Sequence, residues 1–143
     1  MRFAAISTWV AAALVGSYLL ATWVANDGLR RKSDTSSRFA PQLIFSHGGL
    51  AATGLLVWIG YLVVGVTAIA WAALGLLGVV ATLGATMFGL WLRGGHGQPR
   101  GKHASGPRHA AEDNFPPPAV WTHGLFAVAT VGLVLATALR TIP

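Results

Sequence analysis

Long apolar stretches, broken by two short basic segments, dominate the chain. A hydrocarbon core about 30 Å thick takes roughly 20 apolar residues in helix to cross. The first stretch covers residues 3–25 and runs into Asn26-Asp27-Gly28, where Gly28 is suited to a left-handed helix stop. From Leu43 to Leu92 the chain carries no acidic or basic group except His47. As a single helix that run would be roughly 75 Å long, far more than one crossing. It must fold back, and the turn is expected between Gly60 and Thr67. Pro116-Pro117-Pro118 opens the last stretch, where a ring-fixed φ suits a first helical turn. The pattern predicts an all-α integral membrane four-helix bundle. It forms a single transmembrane domain, residues 1–143, with spans at 3–25, 42–64, 67–92 and 117–140 arranged as two helical hairpins.

Composition agrees: of 143 residues, 54% are hydrophobic and 10% charged. A soluble domain this small has too much surface to cover with so few polar side chains. Charge then sets the orientation. Arg30, Arg31, Lys32 and Arg38 lie in the loop 26–41, and Arg93, Arg100, Lys102 and Arg108 in the loop 93–116. Only Arg2 and Arg140 lie elsewhere. Retention of positive loops in the cytoplasm puts both loops inside and both termini on the outer side, and argues against a cleaved signal peptide. The formal charge of +6 follows from topology and contact with anionic lipid. It does not imply nucleic acid, since the cations are not interleaved with stacking aromatics. Trp9, Trp23, Trp58, Tyr61, Trp91 and Trp121 mostly fall near span ends and are expected to be interfacial anchors, as is Trp71.

Several chemistries drop out. With no cysteine there is no thiolate, disulfide or iron–sulfur ligation. The four acids, Asp27, Asp34, Glu112 and Asp113, all fall in connecting segments, which removes paired-carboxylate catalysis within the spans. Ser46 and Thr122 have no acid to complete a triad. His96, His103 and His109 are spaced by seven and six residues in a Gly- and Pro-rich loop, wider than the usual metal spacings. That loop reads as a basic segment for head groups or a partner. Gly75-x-x-Gly78, Gly84 to Gly89, and Gly16 with Leu20 are candidate helix contacts.

Two segments repeat. Phe45-Ser46-His47-Gly48 and Trp121-Thr122-His123-Gly124 each read aromatic, hydroxyl, histidine, glycine, with alanine four residues after the histidine. Each follows a basic loop and lies six residues after a proline, Pro41 or Pro117. At 1.5 Å per residue both imidazoles sit roughly 8–10 Å below their helix starts. His47, Ala51, Gly54 and Trp58 share one face, and His123, Ala127, Thr130 and Val134 another. Two neutral imidazoles at one depth on diagonal spans suit the axial positions of one b-type haem. Arg38, Arg93 and Arg100 are the candidates to meet its propionates. Two other readings stand beside this one. The histidines serve helix packing or the interface, or one of them hydrogen-bonds a quinone carbonyl.

Paired histidines on alternate helices of a small apolar bundle resemble the b-type membrane cytochromes, including the haem-bearing anchors of respiratory enzymes. The resemblance covers spans two and four, and the lack of histidine in spans one and three limits it to one haem. The chain also resembles small four-span proteins of GC-rich bacteria, notably actinobacteria. These resemblances imply a subunit of the bacterial cytoplasmic membrane, with His47 and His123 as axial ligands of the haem iron. It would act as an electron carrier or anchor beside other membrane subunits, and not as a stand-alone enzyme. The alternative is a structural or accessory subunit without cofactor. No coupling of ion transport is expected, since no Asp, Glu, Lys or Arg lies within the spans short of Arg140, the last residue of the fourth.

Overall fold

The computed structural model describes residues 1–29, 37–94 and 110–140. Among these residues the structure is all-helical: α1 (Arg2–Ala25), α2 (Pro41–Val64), α3 (Thr67–Arg93) and α4 (Pro117–Arg140), with a 3₁₀ turn, Ala111–Asn114, before α4. All four long helices are long and apolar enough to cross a membrane. Helix is the form this composition requires there, because every backbone N–H and C=O must be satisfied within the segment. The hydroxyls obey the same rule. Ser17 donates to the Ala13 carbonyl, Thr53 to Gly49, Thr82 to Gly78 and Thr86 to Thr82, each one turn back in its own helix.

The helix ends follow local chemistry. Pro41 opens α2 and Pro117 opens α4, where a missing N–H costs nothing. α2 closes on Gly65, which is left-handed at φ 75°, and α3 begins two residues later. At the end of α1 the left-handed residue is Asp27, at φ 63°, and not Gly28. Aspartate tolerates that region because its short polar side chain bonds locally. Gly28 serves a different purpose: a Cβ there would lie 2.3 Å from the Trp23 ring.

The most extensive packing joins α1 to α4 and α2 to α3, and lighter contacts join α3 to α4 and α1 to α2. A seam therefore runs between two closely packed pairs. The core along it is split into two clusters. One contains Trp9, Trp58, Tyr61, Leu77 and Val134 among small alanines. The other contains Trp23, Phe39, Ile44, Trp91 and Ala111. Trp9, Trp23, Trp58, Tyr61 and Trp91 are thus core residues and not interfacial anchors. Helices built from Ala and Gly leave gaps that only large side chains fill to normal packing density. Trp121 and Trp71 remain exposed, with Leu14, Val63, Leu125 and Val128, and this outward apolar surface is compatible with lipid contact.

A polar strap closes one end of the second cluster. Glu112 is fully buried in the 3₁₀ turn. Its carboxylate accepts the Ser37 hydroxyl at 3.0 Å and the Arg38 backbone N–H. The Arg38 guanidinium reaches Asp113, and its Nε lies 3.3 Å from Glu112 Oε1. Trp23 Nε1 donates to Ser37 Oγ at 3.1 Å, so the strap ties α1 to the segments preceding α2 and α4.

Candidate functional site

Between the two core clusters lie the two histidines. His47 on α2 and His123 on α4 face each other with ring centroids 6.1 Å apart and planes at 67°. Both rings are half-buried. Each is fixed by the neighbouring helix of its own closely packed pair. His47 Nδ1 lies 3.1 Å from the Val80 carbonyl oxygen on α3. His123 Nδ1 lies 2.9 Å from the Ala12 carbonyl oxygen on α1. A carbonyl only accepts, so Nδ1 is the protonated nitrogen in each ring. In the neutral imidazole, Nε2 then carries the lone pair. This is the arrangement by which a metal-binding histidine is held, with the second ring nitrogen donating to a backbone carbonyl.

A glycine one turn beyond each carbonyl makes the approach possible. A Cβ on Gly84 would lie 3.0 Å from His47 Cε1, and a Cβ on Gly16 would lie 3.0 Å from His123 Cε1. Each half-site is therefore the same device: a carbonyl at one position, a glycine four residues on, and an imidazole seated across both. The likeness extends along the helices. Seven, eleven and fourteen residues after His47 come Gly54, Trp58 and Tyr61, all buried. The same steps after His123 give Thr130, Val134 and Thr137, all buried. Around Gly16 the buried positions Ala5, Trp9, Ala12 and Trp23 correspond to Ala73, Leu77, Val80 and Trp91 around Gly84. Phe39 and Phe115, each eight residues before its histidine, bring their rings to 6.1 Å. The sequence repeat at the histidines is thus the visible part of a repeat that relates α1–α2 to α3–α4.

The pair also suits a metal centre in its dimensions. If both Nε2 atoms pointed at one ion, a metal–imidazole bond of about 2 Å would place the ring centres about 6 Å apart. Non-parallel rings are compatible with this, since each can rotate about its own metal–nitrogen axis. Gly48 and Gly124, next to the two histidines, leave open space where a Cβ would stand.

Arg38 is engaged by Glu112 and Asp113. Arg93 closes α3 and is exposed, and Arg100 lies outside the described residues, as do His96, His103 and His109. Among the described residues nothing lies within 4 Å of where a Cβ would stand on Gly75, Gly78 or Gly89. Among the described residues no group of three or more His, Cys, Asp or Glu is placed to hold a metal ion. Comparison with family models, curated proteins and solved structures finds no match for this chain.

Proposed function

We propose that the chain is a membrane-embedded subunit that binds one haem b through His47 and His123 and serves a bacterial respiratory or redox complex as electron carrier or anchor. In this reading the four helices form a membrane bundle in the cytoplasmic membrane, with both basic loops inside and both termini outside. The observation that carries it is the facing imidazole pair, 6.1 Å between centroids, with Nδ1 of each ring held by a carbonyl. His47 and His123 would hold the iron of such a group through their Nε2 atoms. When bound, such a group supplies one-electron iron chemistry.

The chain's own residues then have definite tasks. The Val80 and Ala12 carbonyls fix the tautomer and ring orientation and raise the basicity of the ligating nitrogen. Gly84 and Gly16 admit the rings to that position. The clusters around Trp9 and Trp58 on one side, and Trp23 and Trp91 on the other, exclude water and lower the local dielectric. That burial is the lever by which such a chain sets a potential.

A second reading has its own support. Each histidine already joins two helices, α2 to α3 and α4 to α1, which is the role expected of a polar staple in a cofactor-free accessory subunit. The visible spectrum of the purified protein separates the two. The haem reading expects a Soret band that shifts on dithionite reduction and is lost in His47→Ala and in His123→Ala. A colourless preparation with full helicity from haem-replete cells rejects it and favours the staple.

A further inference from the structure

At the end of the molecule away from the histidines, side chains from opposite ends of the sequence converge. An open pocket of about 310 Å³ is lined by Met1, Arg2, Tyr61, Thr137 and Arg140. Arg2 is at the start of α1 and Arg140 at the end of α4, the two helices that pack together, and Tyr61 is three residues from the end of α2. We propose that Arg2, Arg140 and Tyr61 form a binding site for a phosphate group.

The charge distribution is the first support. Among the described residues the carboxylates are Asp27, just after α1, and Glu112 and Asp113, just before α4. All three lie at the other helix ends, where Glu112 and Asp113 hold Arg38. Neither Arg2 nor Arg140 has a carboxylate partner among the described residues. Arg2 leans only on the Phe3 ring, 5.8 Å from its centroid, which leaves its charge in place. Two guanidinium groups sharing one pocket repel, and an anion between them reverses the sign of that interaction.

A guanidinium fork takes carboxylate as well as phosphate, and the position of the pocket at the helix ends favours phosphate. Guanidinium forks match its oxygens bidentately, and two forks give two such contacts. The Tyr61 ring is buried at 4% exposure, so its position on the pocket wall is fixed before any ligand arrives. The Thr137 hydroxyl donates to the Leu133 carbonyl, which keeps that wall polar but neutral. A helix of 24 residues is about 36 Å long, so its ends reach past the hydrocarbon into the depth of lipid phosphates. The same pocket is open to water, and the phosphate is either a lipid headgroup or the free ion.

The test uses the full chain purified in detergent and delipidated, with thermal unfolding followed by tryptophan fluorescence. Inorganic phosphate is titrated against chloride at equal ionic strength, and phosphatidic acid against diacylglycerol, which lacks the phosphate, in mixed micelles. The site requires saturable stabilisation by at least one phosphate probe, weakened about tenfold in Arg2→Gln and in Arg140→Gln. Stabilisation by inorganic phosphate assigns the free ion, and stabilisation by phosphatidic acid alone assigns the headgroup. No response to either probe, or an undiminished response in the double variant, overturns the proposal. Both arginines are exposed at helix ends, so circular dichroism of the variants should match the parent. The result is independent of whether the histidines bind haem.

Discussion

Gly16 and Gly84 lie against the histidines where two helices approach, and a larger side chain there requires the imidazole to give way by a few tenths of an ångström. An added methyl at either position meets an imidazole carbon at 3.0 Å, well inside ordinary contact. Overpacking of this kind costs about 1–3 kcal/mol. Gly16→Ala and Gly84→Ala should therefore each lower stability by that amount in reversible unfolding in mixed micelles. They should do so by similar amounts, because the two half-sites are built alike. Gly48→Ala and Gly124→Ala meet open space and should stay within about 0.5 kcal/mol of the parent, or gain from the higher helix propensity of alanine. Equal effects at all four positions would contradict the cradle. Glu112 offers a second test at this scale. Glu112→Gln keeps the shape but removes the charge that Ser37 and Arg38 hold. The expected cost is about 1–3 kcal/mol, since Arg38 is partly exposed and water screens the pair. An unchanged unfolding midpoint would show that the strap contributes nothing.

The helices themselves were legible because length and apolarity are properties of whole segments. The hairpin turn fell inside the expected Gly60 to Thr67 window, at Gly65, since only a sharp reversal accommodates so long an apolar run. Individual contacts within the helices were less legible. Tryptophans near span ends read as anchors, yet five of the seven aromatic positions so read are core, because an Ala- and Gly-rich surface needs large fillers. Gly28 read as a left-handed stop, but Asp27 takes that conformation and Gly28 yields space to Trp23. The histidines were recognised from their repeat, and their diagonal placement brings them together. Their holders were not, because a backbone carbonyl leaves no mark on the sequence. Gly16 and Gly84 read as helix contacts, which they are, but nothing in one helix says which side chain of another lies over it. The full burial of Glu112 in a polar loop had no sequence signal at all.

The whole molecule is two similar halves, α1–α2 and α3–α4, each lending a histidine to one half-site and a carbonyl and glycine to the other. Such an arrangement has one natural place for a shared ligand, the seam between the closely packed pairs. The orientation proposed from the charge of the loops is open to direct test. The chain lacks cysteine, so Ser33→Cys and Ser105→Cys introduce single thiols into the two basic loops. Both should be labelled by a membrane-impermeant maleimide only from the cytoplasmic side of oriented vesicles. Labelling of either from the outer side would reverse the topology. The joint coordination of one iron by both histidines is tested most directly by electron paramagnetic resonance of the oxidised protein reconstituted with haem. If both imidazoles held one iron while keeping their 67° inclination, the ferric signal would be low-spin and strongly anisotropic. It should give way to a high-spin signal when either His47 or His123 is replaced by alanine. A folded protein that takes up no haem, or one that gives only a high-spin signal with both histidines present, would contradict the assignment.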